Sequence, residues 1–184
     1  MAVIYGINQM RVTQLQEDGS ADPSAIAVTH TKPQNMNITP VYVDGVESIL
    51  RGGDAIAAIV REPDKFLGVD LTLTAATFDE DFVAVVVGGT ATTDKWEAPK
   101  DSTEEPYPFK LEVWCKQMTE SDSESTQDGF FKFTFPFCKG RLGTSNPADQ
   151  AFANDEFQIR ARRNESDPSN VEPAITKEKV SAIE

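Results

Sequence analysis

Apolar and polar side chains alternate most clearly over residues 69–75, VDLTLTA. A period of two predicts a β-strand with one buried face and one wet face. Leu71 and Leu73 lie on the apolar side and are predicted core residues. The side chains predicted for the opposite face are Asp70, Thr72 and Thr74.

The next stretch, residues 79–88, has the marks of a short helix. An acidic side chain can cap the first turn, further acids favour the positive end of the helix dipole, and paired glycines are a stop signal. The residues concerned are Asp79 as the cap, Glu80 and Asp81 in the first turn, and Gly88 and Gly89 at the end. The β-branched run 85–87 favours a second strand instead, and both interpretations stay open.

The alternation of apolar and polar residues predicts two further strands. Residues 109–118, FKLEVWCKQM, alternate and place Leu111 and Val113 in the core. Residues 129–138, GFFKFTFPFC, are the most aromatic part of the chain. Their in-phase rings predict a strand at the centre of the core. The predicted core rings are Phe131, Phe133, Phe135 and Phe137.

The chain divides into a central domain and two ends. Residues 1–31 are predicted to be an N-terminal arm with edge strands, and residues 32–164 the domain. Residues 165–184 contain two prolines and only scattered apolar side chains, and are predicted to be a C-terminal arm that is disordered or orders on another subunit. Around Asp44-Gly45 we expect a tight turn, with residues 46–50 returning as a hairpin.

Composition excludes several classes of protein. With 184 residues and a formal charge of −13, the chain lacks the basic stripe of a nucleic-acid-binding surface. Its longest apolar run, 82–87, is too short to cross a bilayer, and its first residues do not resemble a signal peptide. We therefore expect a protein made and kept in a cytoplasm. Cys115 and Cys138 are predicted to face different sides and to be free thiols, although Pro136 can shift that phase.

No catalytic or metal-binding motif is apparent, so we expect neither an enzyme nor a cofactor. The sole histidine, His30, lacks a partner histidine or nearby cysteine and is expected to be a surface or strand side chain. Residues 124–129 imitate a calcium loop, but Phe135 stands where the bidentate acid belongs.

The order of segments resembles the major tail tube proteins of long-tailed, siphovirus-like bacteriophages. The resemblance covers roughly residues 33–164 and rests on NITPVYVDG, FLGVDLTLTAATF, DEDFVAVVVGG, PFKLEVWCK, GFFKFTFPFCKG and FQIRARRNE in that order. It implies a mainly β fold: an antiparallel β-sandwich or partial barrel with one short helix at about 79–88 and extended terminal arms.

The same resemblance implies a structural function. Six copies would form a ring, and stacked rings would form the hollow conduit for DNA delivery. Its partners would be other copies, a tape-measure protein, tail terminator or tip proteins, and passing double-stranded DNA that is not specifically bound, with no membrane. The protein would be assembled in the bacterial host cytoplasm and reside in the virion tail.

If the chain lines a DNA conduit, polar and acidic side chains should face the lumen, because they repel phosphates. The lumen candidates are Asp70, Thr72 and Thr74, with Glu112 a weaker one. An ordinary wet outer face explains the same positions equally well.

Two other functions remain open. A monomeric β-sandwich binding module, for carbohydrate or for decorating a virion, would stack a sugar on exposed aromatic rings such as Trp96, Tyr107 and Trp114. A tube of a contractile injection machine would share the architecture and add a sheath.

Overall fold

The computed structural model of the protein describes residues 2–25, 27–31, 33–52, 55–77, 79–100, 106–120, 125–145, 154–166 and 171–183. Within these residues the chain forms twelve strands and one helix. The elements are β1 (Ala2–Gln14), β2 (Ala27–His30), β3 (Pro33–Val43), β4 (Glu47–Gly52), β5 (Ala55–Arg61), β6 (Lys65–Ala75), α1 (Glu80–Val87), β7 (Thr90–Thr92), β8 (Lys95–Glu97), β9 (Phe109–Glu120), β10 (Ser125–Ser145), β11 (Asp155–Arg162) and β12 (Thr176–Val180).

The main sheet is antiparallel, with strand order β2-β1-β9-β10-β11-β6-β3 among the described strands. Strand β10 is 21 residues long and joins two halves of this sheet. Its first part pairs with β9, and its last part pairs with β11. The apolar faces of both halves contribute to one core cluster. The predicted mainly β, sandwich-type fold is confirmed.

Helix α1 packs on this core with four buried side chains, including Phe82 and Val86. The Asp79 carboxylate accepts a hydrogen bond from the Phe82 amide at 3.1 Å and so caps the helix. At the other end Gly88 has φ 88° and Gly89 φ 96°, conformations that a residue with a Cβ rarely adopts. Residues 80–87 form a helix and not the alternative strand because backbone groups at both helix ends are hydrogen-bonded and the apolar side of the helix packs against the core.

Most predicted core residues lie in the core. Among them, the side chains of Leu71, Leu73, Leu111, Val113, Phe131, Phe133 and Phe135 are buried.

Phe137 is an exception, since it is only half buried. The pairing of β10 with β9 shifts between Phe135 and Cys138, so the strict alternation of the sequence breaks next to Pro136. Cys138 thereby takes the core position that was predicted for Phe137. The thiols of Cys115 and Cys138 are free, as predicted, but both face the core and not different sides.

The structure differs from the prediction of extended arms at both ends. Strand β1 lies inside the sheet, between β2 and β9, because its apolar Met10 and Val12 are core residues. Strand β12 pairs with β10, where Lys177 lies 5.0 Å from the ring of Phe131. The described parts of both ends therefore add strands to their own domain. The three-part division of the chain stays a prediction.

Residues 46–50 also pair differently from the expected hairpin. They do not return along β3. Strand β4 instead pairs with β5, from Glu47 opposite Arg61 to Gly52 opposite Ala55, as a separate two-stranded sheet.

Candidate assembly surface

The hairpin β4–β5 exposes apolar side chains on both of its faces. Cross-strand partners share a face. One face carries Ile49 opposite Ile59, flanked by the charged pair Glu47 and Arg61. Beyond the hairpin base, where Glu62 lies opposite Val46, the other face carries no charge. We call this part the uncharged hairpin face, and its described members are Ser48, Leu50, Ala58 and Val60.

The uncharged hairpin face is open to solvent. Leu50 and Val60 are each 64% exposed, and Val46 at the hairpin base is 66% exposed. On the opposite face Ile49 and Ile59 are 45% and 57% exposed. A two-stranded hairpin is at best marginally stable in water without a partner surface. The hairpin is therefore a candidate contact for another molecule.

Specific contacts hold the base of the hairpin. The Gly45 amide donates to the Asp64 carboxylate at 2.9 Å, and the Glu62 amide donates to the Val46 carbonyl at 3.0 Å. A Cβ on Gly45 would collide with the Glu62 backbone carbonyl, so only glycine fits this close approach. These contacts close the base of the hairpin between the end of β3 and the start of β6.

An apolar groove of about 600 Å³ lies beside this base. We call it the basal groove. Its apolar lining consists of Val43, Phe66, Leu67, Val171, Pro173 and Ala174. Phe66 and Leu67 are 48% and 47% exposed. The charged residues at the groove are Lys65, Arg163 and Glu165, and the last two form an ion pair at 3.8 Å.

The lumen candidates on β6 share one outward face, but Asp70 does not make that face acidic. Its carboxylate accepts a hydrogen bond from Arg162 Nη2 at 2.9 Å. Its cross-strand neighbour on β11 is the exposed Arg160. The carboxylate is therefore balanced by arginine. The sequence alone missed this because the cations lie 90 or more positions away along the chain.

Thr72 and Thr74 lie in a neutral polar row. The cross-strand partners of Thr72 are Asn37 on β3 and Gln158 on β11, and Thr74 lies opposite Asn35. Both threonines are partly exposed. This part of the sheet therefore presents hydroxyl and amide groups, whose role as a conduit wall stays a prediction.

Glu112 is not available to a lumen, because its side chain is buried in an ionic cluster. Its Oε1 lies 2.9 Å from Lys132 Nζ and 3.2 Å from Lys110 Nζ. Burial alone would raise the pKa of Glu112, but the hydrogen bond from Lys132 and the charges of both lysines lower it below the ordinary value. Glu112 is thus a structural ion-pair partner, and its lumen assignment is corrected.

The three rings considered for a sugar platform do not form one. Trp114 is fully buried, with Arg11 and Lys132 stacked over it at 5.1 and 5.5 Å. Trp96 is half buried and donates its indole N–H to the Gly88 carbonyl at 2.8 Å. Tyr107 is 54% exposed. A single exposed ring of the three gives the binding-module hypothesis little support.

His30 lies in a strand, as expected, but it is buried and not on the surface. Its Nδ1 is 3.5 Å from the Asp79 carboxylate, and its ring packs 5.3 Å from the ring of Phe82. It therefore connects β2 to the start of α1. No pattern in the sequence marks this contact, because His30 lies 49 positions before Asp79.

A cavity of about 1180 Å³ lies between the end of α1 and residues 97–100 and 106–108. Its lining includes Glu17, Asp81, Glu97, Lys100 and Lys139. Among the described residues, no group of three His, Cys, Asp or Glu side chains could hold a metal ion. The described residues also contain no helix that is long and apolar enough to span a membrane.

Comparisons with known proteins leave the family open. No family model matches the sequence, and no curated protein matches it. Among solved structures, a chain of "Cryo-EM structure of the anti-feeding prophage (AFP) baseplate, 6-fold symmetrised" is similar to 96% of this chain over 97% of its own length. The two are 9% identical with a TM-score of 0.39, and a similarity this weak carries no inference about function.

Proposed function

We propose that the protein is the structural subunit of a phage tail tube. Identical copies associate into six-membered rings, and stacked rings form the hollow conduit for DNA delivery. Other copies, a tape-measure protein and tail terminator or tip proteins are the expected partners, and the virion tail is the expected location. The sequence resemblance supplies this identity, and the exposed hairpin β4–β5 is the structural observation that supports assembly.

The energetic argument concerns five exposed apolar side chains of the hairpin: Val46, Ile49, Leu50, Ile59 and Val60. Full burial of one such side chain contributes about 1.5–3 kcal/mol, so covering the exposed half of five contributes roughly 4–8 kcal/mol per copy. The costs of association reduce this sum. In a repeated assembly the net free energy of burying the hairpin stabilises every subunit, which favours a partner that is another copy.

The neutral row of Thr72, Thr74 and their amide neighbours is the proposed conduit wall. Such a face offers no net positive charge to a passing polyanion at the two threonines. Because the Asp70 carboxylate is paired with Arg162, the proposed conduit wall is neutral and polar at Thr72 and Thr74 instead of acidic.

Negative-stain microscopy of the purified protein at increasing concentration tests the proposal. The wild type should form rings or tubes. The double variant Leu50→Asp/Val60→Asp should remain as single copies with an unchanged circular dichroism spectrum, because both side chains are exposed. Tyr107→Asp, which alters an exposed ring outside the hairpin, is the matched control and should assemble. Uniform single copies of the wild type, or tubes of the double variant, would contradict the proposal.

A further inference from the structure

The outward face of β10, β11 and β6 concentrates positive charge in an otherwise acidic chain. Residues that lie opposite each other on neighbouring strands share a face of the sheet. Where these three strands pair with one another, the charged residues on the outward face are Asp70, Lys139, Arg141, Glu156, Arg160 and Arg162. They sum to +2 (four positive groups and two negative), whereas the whole chain has a formal charge of −13. We call the three arginines of this face the arginine cluster.

Arg160 lies at the centre of the arginine cluster. Its cross-strand neighbours are Asp70 on β6 and Lys139 on β10, and its side chain is exposed. The Asp70 carboxylate is hydrogen-bonded to Arg162 and not to Arg160. Within the described chain the Arg160 guanidinium forms no hydrogen bond or ion pair. Its five N–H groups are therefore available to another molecule.

The other two arginines are held in place by the sheet. Arg141 donates from Nε and Nη2 to the Gln158 side-chain oxygen at 2.9 and 2.6 Å. Arg162 donates to two backbone carbonyls at 2.9 and 3.1 Å, as well as to Asp70. At about 3.3 Å per residue, Arg160 and Arg162 are roughly 6.6 Å apart along β11. The three guanidiniums thus lie close together on an open, extended surface.

A row of phosphate groups is the ligand that suits this surface. A guanidinium binds phosphate oxygens through parallel N–H groups, so arginines on an open face can contact a polyanion without a pocket. At physiological salt the Debye length is about 8 Å, so acids elsewhere on the chain are largely screened. The same face carries Thr72 and Thr74 of the proposed conduit wall. The polyanion that passes this wall in the proposed function is double-stranded DNA.

We propose that the arginine cluster contacts the phosphate backbone of double-stranded DNA, and that Asp70 weakens this contact so that the DNA slides. This inference rests on the proposed function for the identity of the polyanion and adds the residues that meet it. The contact is weak for one copy and is repeated by every copy along a tube.

DNA binding in solution tests the contact. The full-length chain with Leu50→Asp/Val60→Asp is used, because single copies leave the outward face accessible. Fluorescence anisotropy of a labelled duplex of about 20 base pairs measures the affinity over a range of salt concentrations. If each copy neutralises about two phosphates, the logarithm of the binding constant should fall with the logarithm of the salt concentration at a slope near −2.

Two substitutions on the face should change the affinity in opposite directions. Arg160→Gln should lower the affinity about threefold or more and make the salt slope shallower by about one. Asp70→Asn should raise the affinity by about the same factor, because it removes the carboxylate beside Arg160 and Arg162. A duplex of different sequence should bind equally well, because phosphate contacts carry no sequence information.

Strand β8 supplies matched controls. Lys95 and Glu97 form an exposed ion pair in a separate two-stranded sheet. Lys95→Gln and Glu97→Gln make the same changes of charge away from the outward face, and each should alter the affinity by less than about 1.5-fold. Circular dichroism checks that every variant is folded.

The outcomes separate this inference from the proposed function. Absence of DNA binding, or equal losses for Arg160→Gln and Lys95→Gln, would overturn the phosphate contact. Unchanged DNA binding together with blocked ring assembly in Arg160→Gln would also overturn it, since the face would then meet another copy. Rings or tubes of the wild type in negative stain leave the proposed function standing in each case. A wild type that never assembles refutes the proposed function, whatever the result with DNA.

Discussion

Glu112 and Lys132 form an ion pair in which Oε1 and Nζ are 2.9 Å apart and the side chains are 9% and 13% exposed. The pair lies on the side of β9 opposite the core, where alternation predicts a solvated surface. Lys132 also contributes to covering the ring of Trp114. The outer side of this part of the sheet is therefore built as a second packed layer and is not a plain wet face.

Replacing Glu112 with Gln should lower the free energy of unfolding by about 2 kcal/mol, because the buried Lys132 ammonium loses the carboxylate that lies 2.9 Å from it. Urea denaturation at pH 7 measures this loss. Glu178→Gln is the matched control, since Glu178 contacts the same lysine at 3.8 Å but is 50% exposed. The control should change stability by less than about 0.5 kcal/mol. Equal losses in the two variants would contradict the assigned role of Glu112.

The contribution of Glu112 should depend on pH. Its pKa is lower in the folded than in the unfolded chain, so its stabilisation is complete above the unfolded pKa of about 4.3. The stabilisation is lost as the pH falls through the folded pKa. The difference in unfolding free energy between wild type and Glu112→Gln should therefore shrink between pH 5 and pH 2. If the difference in unfolding free energy stays constant or grows over this pH range, the ionised Glu112 carboxylate is not the cause of the stabilisation.

Replacing Asp79 with Ala should cost about 1 kcal/mol, because the Phe82 amide loses its capping acceptor. Asp79→Asn keeps a capping oxygen and should cost only a few tenths of a kcal/mol. Thermal unfolding of both variants compares them. A loss of the same size in both would show that the charge of Asp79, near His30, matters more than the cap.

Neither cysteine should react with a thiol reagent in the native protein. Burial raises the pKa of both the Cys115 and the Cys138 thiol, which lowers the fraction of reactive thiolate. Denaturant should release two reactive thiols per chain. Rapid labelling of either thiol in the native protein would show that its strand opens easily.

Asp70→Lys should leave tubes intact, because the residue lies on an outward face, but impair genome delivery by placing a cation among Arg160 and Arg162. Thr72→Ser, which keeps the hydroxyl on the same face, is the control and should deliver DNA normally. Infectivity and microscopy together measure the effect. Unchanged infectivity with intact tubes would remove Asp70 from the proposed conduit wall.

Local alternation predicted the strands that form the middle of the core. Leu71, Leu73, Leu111 and Val113 are buried because each strand there keeps a regular register. The boundaries of α1 could also be predicted from the sequence, since a capping residue and a glycine act within one helical turn. The partial exposure of Phe137 could not be predicted, because a shift in strand pairing changes which side chains face the core and breaks the alternation assumed from the sequence.

Features that depend on contacts between residues far apart along the chain could not be predicted from the sequence. The pairing of β4 with β5, and the place of β1 inside the sheet, are set by contacts between segments that local pattern does not connect. The arginines around Asp70 and the burial of Glu112 likewise arise from neighbouring strands. The candidate assembly surface itself was missed because the sequence predicted that residues 46–50 return as a hairpin after the turn at Asp44-Gly45, whereas β4 pairs with β5 and leaves described apolar side chains of both strands exposed.

Sedimentation velocity of the wild-type protein over a wide concentration range tests the central claim most directly. The account predicts that the 20.2 kDa chain gives way to a discrete six-copy species or to longer assemblies as the concentration rises. A single 20.2 kDa species at every concentration would contradict the claim that identical copies cover the exposed hairpin.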